Sequence, residues 1–267
     1  MNKKNVTAPV GGESKQLLDL HVSAPTLRVL IALLPLAGCL LIVGLRNLNF
    51  QVYRFLFTED GLFEYLSSAF YLGTVVVAFL ICLGLKRSKR YFLAAAYLLF
   101  AVTAFIVAAE EISWGQRLLG IETPQAILEI NTQQELTIHN LEPIQRKLHF
   151  AYVLVGAYGG FVWLLALPKI VQLRAFLTPY VAPRWYLATY FLPVFLLYGH
   201  LETATRETAL FHYRSPDQEP AEFILSLGFL LFVVTNRYRQ VSDFSLDRYQ
   251  LFINIFWATD KTDNLKT

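Results

Sequence analysis

Two adjacent glutamates, Glu110 and Glu111, end a long uncharged stretch, and Trp114 and Arg117 follow them closely. If the helix continues, Glu110, Trp114 and Arg117 share one face at i, i+4 and i+7, and Glu111 points about 100° away. Two interpretations stay open. Either an ion pair and an interfacial tryptophan mark the end of a membrane span, or a partly buried glutamate acts as a general acid or base.

A second candidate pair, Glu135 and His139, lies farther along the same loop. Residues Thr132–Glu135 have the spacing of a capping box, which predicts a short amphipathic helix ending before Pro143. On that helix Glu135 and His139 would stand side by side, either as a carboxylate that orients a histidine or as two ligands of one metal. The capping role alone would also explain Glu135. We predict four catalytic candidates: Glu110, Glu111, Glu135 and His139.

Other polar residues are expected at the same level of neighbouring helices. Glu64 lies in the first turn of the second predicted span, and His200 closes the fifth. We predict substrate contacts from Arg117, which could hold an anionic headgroup, and from Trp114 and Glu64. A divalent metal ion, the only cofactor we consider, would be held by His139, His200 and Glu111.

The composition predicts the elements that position these residues. The chain is 55% hydrophobic, 15% aromatic and only 16% charged, whereas soluble domains carry about 25% charged residues. We therefore predict an all-α, polytopic transmembrane bundle with a short outer amphipathic helix between spans three and four. A membrane domain of residues 26–235 follows a flexible arm, 1–25, and precedes a tail, 236–267. Its six spans are predicted at 26–45, 62–85, 91–109, 148–167, 185–201 and 221–235.

The distribution of charge predicts the orientation. Most Lys and Arg residues lie in the N-terminal arm, the loop at 86–90, the loop at 168–184 and the tail. The positive-inside rule then places both termini in the cytoplasm, and most acids and histidines on the outer face. Cys39 and Cys82 lie in apolar stretches and imply no disulfide framework. We expect the lipid bilayer as a partner and no nucleic acid, and the sequence identifies no protein partner.

One part of the chain carries a recognisable pattern. It comprises Glu59-Asp60-Gly61-x-x-Glu64-Tyr65, the string EEISWGQR from Glu110 to Arg117, the pair Thr123-Pro124, and N-x-Q-x-E-x-x-x-H-N from Asn131 to Asn140. The pattern covers roughly residues 59–140 and resembles a group of uncharacterised, mostly bacterial multi-pass membrane proteins. The resemblance implies a location in the bacterial inner (plasma) membrane and no particular activity.

Three functions are compatible with these observations. The outer Glu/His cluster could be structural or could dock a protein partner. Alternatively, the protein could be an outer-leaflet hydrolase or transferase, metal- or carboxylate-dependent, that acts on a lipid or lipid-linked substrate. A small-solute transporter is disfavoured because the middles of the predicted spans hold no ionisable residues.

Overall fold

The computed structural model describes residues 25–57, 61–131, 135–139, 141–166, 180–203 and 217–263. Within these ranges the side chains of 117, 118, 142, 143, 145, 146, 166 and 242–263 are not described. The predicted N-terminal arm, apart from Pro25, lies outside the described residues. The described chain is all-helical, which confirms the predicted fold class.

The α-helices of the described residues are numbered here in chain order. They are α1 (Pro25–Leu48), α2 (Phe50–Phe57), α3 (Leu62–Arg87), α4 (Tyr91–Glu111), α5 (Gln116–Leu119), α6 (Gln125–Leu128), α7 (Glu142–Phe161), α8 (Ala188–Thr203) and α9 (Glu219–Asp263). Single 3-10 turns occupy Ser113–Gly115, Val162–Ala166 and Trp185–Leu187.

Five helical stretches within the described residues are long and apolar enough to cross a membrane. Three of them contain α1, α3 and α4. The fourth, Lys147–Leu165, comprises most of α7 and the 3-10 turn that follows it, and the fifth is Glu219–Val241 of α9. The predicted span at 185–201 corresponds to the turn Trp185–Leu187 and the shorter α8. With 16 residues, α8 is about 24 Å long, less than the ~30 Å hydrocarbon core.

Helix α8 nevertheless returns the chain through the bundle. His149 and Gly159 of α7 lie against Tyr198 and Phe191 of α8, respectively, so these two helices are antiparallel. Phe191 also contacts Phe229 of α9, while Tyr198 hydrogen-bonds Glu222, so α8 is antiparallel to α9 as well. The five candidate spans are therefore accompanied by one shorter, deeply buried helix.

The last helix is longer than the predicted span at 221–235. It begins at Glu219, where Glu219 and Glu222 lie in the first turn and are favoured by the helix dipole. It continues without a break to Asp263, so the predicted tail is helical as far as that residue. Its 45 residues correspond to about 68 Å, roughly twice the thickness of a hydrocarbon core.

Helix α9 joins the two packed halves of the bundle. It packs against α3 on one side and α8 on the other, while α4 packs on α3 and α7 packs on α8. Ile224 and Leu225 of α9 belong to one buried cluster with α8, and Val233 belongs to another with α3 and α4. Helices α4 and α7 therefore flank α9 and border a cleft between the two halves, which we call the cleft.

A tight clamp attaches α1 and α2 to the start of α9. Arg46 donates from Nε to Oδ1 and from Nη2 to Oδ2 of Asp217, both at 2.9 Å. The Tyr53 hydroxyl donates to the same Oδ1 atom at 2.7 Å. This bidentate pair fixes the end of the bundle that carries Glu64, Glu111, Glu219 and Glu222, which we call the acidic end.

Candidate functional site

A left-handed turn ends α4 at the acidic end. The φ angles of Ser113, Trp114 and Gly115 are 49°, 56° and 75°, values that non-glycine residues adopt only when the surrounding structure holds them. The helix therefore stops at Glu111 and does not continue through Arg117, whose side chain lies outside the described residues. The predicted i, i+4 contact still forms, because Trp114 Nε1 donates to Glu110 Oε1 at 2.6 Å.

Glu110 is the hydrogen-bonding centre of the loop after α4. Its side chain is 10% exposed. Its Oε2 atom accepts the backbone N–H groups of Ile138 at 2.7 Å and His139 at 3.0 Å, and His139 Nδ1 lies 3.0 Å away. With the Trp114 bond, this carboxylate connects the end of α4 to a segment almost thirty residues away in sequence. Its contacts therefore belong to the scaffold of the loop.

The prediction of a helix carrying Glu135 and His139 is wrong for the part that the structure describes. Residues 135–139 form bends, and the short helices of this loop are α5 and α6 instead. Glu135 and His139 do not pair. Glu135 Oε2 accepts the Ser113 hydroxyl, and His139 lies against Glu110. The helix fails here because the N–H groups of Ile138 and His139 bind the carboxylate of Glu110.

The loop is secured by further contacts of the same kind. Gln116 Oε1 accepts the N–H of Leu136 at 2.7 Å. Asn131 Nδ2 donates to the carbonyl oxygen of Thr137 at 2.8 Å. Most of the polar residues in the EEISWGQR and N-x-Q-x-E-x-x-x-H patterns thus bond to one another. We call this set the latch: Glu110, Ser113, Trp114, Gln116, Asn131, Glu135 and His139.

Glu111 faces a different environment from Glu110, as the helical spacing predicts. Its carboxylate lies near enough to those of Glu222, Glu219 and Glu64 for their negative charges to repel it. These four residues come from α4, α9 and α3, so three helices contribute to one group of acids. We call Glu64, Glu111, Glu219 and Glu222 the acidic group. Each of the four is partly buried.

Three tyrosines adjoin the acidic group. Tyr198 of α8 donates its hydroxyl to Glu222, and Tyr152 of α7 is a second hydrogen-bond partner of that carboxylate. The rings of Tyr152 and Tyr198 stack with centroids 4.5 Å apart. Tyr71 of α3 interacts electrostatically with Glu111 and Glu222. Because tyrosines are also common at membrane interfaces, no sequence signal distinguished these three.

The three described histidines lie in the latch, in α7 and near the end of α8. His139 belongs to the latch and also interacts electrostatically with Glu222. His200 is exposed near the end of α8, whereas the histidine buried at this level is His149, 4.9 Å from the Tyr198 ring. Within the described residues, no three His, Cys, Asp or Glu side chains are grouped to hold a metal ion. They therefore do not provide the metal site predicted from His139, His200 and Glu111.

An apolar cavity of about 400 Å³ lies in the cleft. Leu154 and Tyr158 on its α7 side are 55% and 45% exposed, so the cavity opens toward the surface of the bundle. On α4 the lining extends from Leu93, near the start of the helix, to Phe100 at its middle, which places the cavity at the depth of the hydrocarbon core and in the half of the bundle remote from the acidic end. Its aromatic lining includes Tyr97, Phe100, Tyr158, Tyr180, Phe191 and Phe229.

The cavity and the polar residues of the acidic end lie on the same faces of four helices. A spacing of 3, 7 or 11 residues returns to nearly the same helical face. Between the two regions Tyr71 packs in one buried cluster with Ala104 and Ala108, and its ring centroid is 6.2 Å from that of Phe229, so a chain that joins the two regions has to pass these side chains. Each of the four helices has one cavity residue on the same face as one residue of the acidic end. These pairs are Phe100 with Glu111 on α4, Val155 with Tyr152 on α7, Phe191 with Tyr198 on α8, and Phe229 with Glu222 on α9.

Comparison of the chain with protein-family models, curated proteins and solved structures found no match. The resemblance of residues 59–140 to a group of bacterial membrane proteins therefore stays a prediction. The class that the fold defines is a polytopic transmembrane helix bundle.

Proposed function

We propose that this protein binds a membrane lipid or lipid-linked molecule in the cleft. The hydrocarbon chain would occupy the apolar cavity, and the polar group would meet Glu111, Glu222 and the tyrosines at the acidic end. The observation that carries this proposal is the shared helical face: on four helices, the same stripe that lines the cavity leads to the acidic end. An apolar pocket with a few convergent polar groups is the usual form of a ligand site.

The lining of the cavity favours a hydrocarbon chain over water. A cavity with this apolar lining offers a water molecule too few polar partners. Its exposed side, at Leu154 and Tyr158, faces the surroundings of the bundle, which at this depth are lipid chains. A lipid can therefore enter sideways from the bilayer.

Selectivity has to come mainly from the polar end of the ligand. The interior of a bilayer is as apolar as the cavity, so moving a chain between them releases little hydrophobic free energy. Close packing against aromatic rings and hydrogen bonds at Glu111 and Glu222 would distinguish one lipid from another. If the bound molecule is also transformed, these two carboxylates are the groups placed for general acid–base catalysis.

A second candidate is a non-catalytic scaffold, and the latch favours it. The hydrogen bonds of Glu110, Glu135 and His139 join the end of α4 to residues 135–139. A structural role explains these bonds completely. On that view the acidic end fixes helix packing or docks a protein partner. The scaffold account requires no saturable ligand in the cleft.

We further propose that the acidic end faces away from the cytoplasm of a bacterial cell, in the inner (plasma) membrane. Lys86, Arg87, Arg184 and Arg237 lie at the opposite end of the bundle, as the positive-inside rule favours for the cytoplasmic side. The polar group of the bound lipid would then lie at the level of the outer leaflet.

Photo-crosslinking tests the proposed binding. The full-length protein is reconstituted in bilayers that contain phosphatidylethanolamine with a diazirine in one acyl chain, and the labelled residues are mapped by mass spectrometry. We expect labelling of cleft residues such as Phe100 and Tyr158 that is suppressed by excess unlabelled lipid extract from the cells that express the protein. Labelling of Leu40 and Leu41, exposed on α1, should decrease only by dilution and is the internal control. If labelling of the cleft residues also decreases only by dilution, the proposal is refuted.

A further inference from the structure

The inner end of the cleft is closed by a short strap, residues 180–183. The Tyr97 hydroxyl of α4 donates to the carbonyl oxygen of Tyr180 at 2.7 Å. The Tyr158 hydroxyl of α7 donates to the carbonyl oxygen of Val181 at 2.6 Å. The strap is therefore held from both sides of the cleft by one tyrosine hydroxyl each.

The strap is packed against the bundle. Tyr180 and Ala182 are 5% and 9% exposed. Tyr97 is itself fixed, because Asn236 Nδ2 of α9 donates to its hydroxyl oxygen at 2.9 Å. A buried network in which each polar group has a partner holds one geometry. The strap therefore forms a defined floor.

The strap residues also line the cavity. Tyr180, Val181 and Pro183 bound it at the end remote from the acidic group. Along α4, Glu111 and Tyr97 are fourteen residues apart, a rise of about 21 Å. Half of a hydrocarbon core is only about 15 Å, so a chain that extends from the acidic end to the strap has to pass the middle of the bilayer.

We propose that the strap 180–183 is a chain-length stop, which sets the longest hydrocarbon chain that the cleft accepts beneath a polar group at the acidic end. This inference rests on the proposed lipid binding. The ligand class is a lipid with a single long chain in the cleft, extended from Glu111 and Glu222 toward Tyr97 and Tyr158. Shorter chains leave part of the cavity empty, and chains longer than the stop must bend out through the open side at Leu154.

Two kinds of variant can change the length of chain that the cavity accepts. The double variant Tyr97→Phe with Tyr158→Phe removes both hydroxyls that hold the strap and keeps both rings. Ala96→Phe acts in the opposite direction, because Ala96 is an exposed residue of the lining where an added ring occupies cavity space. The matched control is Tyr190→Phe, which removes a tyrosine hydroxyl bonded to the Ile31 carbonyl oxygen at 3.1 Å, outside the cavity.

The measurement is competition by lysophosphatidylethanolamines of increasing chain length against the diazirine probe in reconstituted full-length protein. For the wild type we expect competition to strengthen with length, because more of the chain packs against the aromatic rings of the lining, up to a limit and then to stop improving. The limit should move to longer chains in the double variant, to shorter chains in Ala96→Phe, and stay unchanged in Tyr190→Phe. Should the double variant not fold, the Ala96→Phe shift decides.

Two different failures can be told apart. In the first, labelling of the cleft is saturable, but the length limit is the same in the wild type, the double variant and Ala96→Phe. This result overturns the chain-length stop and leaves lipid binding in place. An absence of saturable labelling in the wild type overturns the proposed function itself.

Discussion

Glu110 and Glu111 are neighbours in sequence and have different environments. Successive residues of a helix point about 100° apart, so a pair at a helix end can serve two groups. Glu110 turns to the loop and accepts hydrogen bonds from Trp114, Ile138 and His139. Glu111 turns to the other helices and meets the acidic group. We therefore expect Glu110 to contribute to stability and Glu111 to contribute to recognition of the proposed ligand.

We expect Glu110→Gln to destabilise the protein much more than Glu111→Gln. The glutamine amide has one oxygen and one NH₂ group in place of two carboxylate oxygens. In either orientation the NH₂ group faces an N–H donor that binds a carboxylate oxygen in the wild type, so that hydrogen bond is lost. Each lost hydrogen bond to a charged group costs about 1.5–3 kcal/mol. The measurement is thermal unfolding of the purified variants in one detergent. Equal melting temperatures for Glu110→Gln and the wild type would contradict the structural role of the latch.

We expect Glu111→Gln and Glu222→Gln to weaken saturable labelling of the cleft while the protein stays folded. Loss of one hydrogen bond to a charged group corresponds to about a tenfold or larger loss in affinity. The control is Glu129→Gln, because Glu129 is an exposed acid directly after α6 and lies outside the acidic group. The proposed polar subsite fails if Glu111→Gln and Glu222→Gln bind the competitor lipids like the wild type.

At the scale of elements, the sequence predicted helices well and their ends poorly. Stretches without charge predicted helices at 62–85 and 91–109, where α3 and α4 lie, whereas α7 begins and ends six residues before the predicted span at 148–167. The capping-box pattern at 132–135 predicted a helix where residues 135–139 form bends. That prediction was wrong because a distant acceptor, the Glu110 carboxylate, takes the N–H groups of the segment, and local spacing carries no information about it.

The small-residue face of α7 shapes the cleft. Gly156 and Gly159 allow α7 to approach α8 so closely that an added Cβ would lie 2.7 Å from the Phe195 nitrogen and 2.2 Å from the Phe191 ring. The helices therefore pack backbone to side chain without a gap, as small residues permit in membranes. Phe191 is also part of the cavity lining.

We expect Gly159→Ala to lower the melting temperature and to weaken cleft labelling. The new methyl group displaces the Phe191 ring, and overpacking of this kind typically costs about 1–3 kcal/mol. The matched control is Gly38→Ala on α1, where no atom lies within 4 Å of the added Cβ. Thermal unfolding and probe labelling are measured on both variants. Equal effects of the two substitutions would contradict the packing argument.

At the scale of the whole molecule, the cleft is a product of tertiary packing. Helix α9 packs against α3 and α8, and this arrangement leaves α4 and α7 on either side of the cleft. The sequence indicated a membrane bundle with acids at one end, and it singled out Glu64 and Glu111. It could not indicate Tyr152, Tyr198 or the strap at 180–183, since their roles depend on which helices become neighbours.

Orientation in the membrane is testable with single cysteines. We expect Ile130→Cys, in the loop after α6, to react with a membrane-impermeant maleimide added to intact bacterial cells. Ser88→Cys, between α3 and α4, should react only after the cells are permeabilised. Both parent residues are exposed, and the native Cys39 and Cys82 lie within helices α1 and α3. The reverse pattern would place the acidic end in the cytoplasm.

The central claim is that a lipid chain occupies the cleft, and a high-resolution cryo-EM map of the full-length protein in lipid nanodiscs tests it most directly. We predict an elongated density that begins beside Glu111 and Glu222, passes Phe100 and ends at the strap 180–183. A cleft closed by contact of α4 with α7, or filled only by the protein's own side chains, would contradict the account.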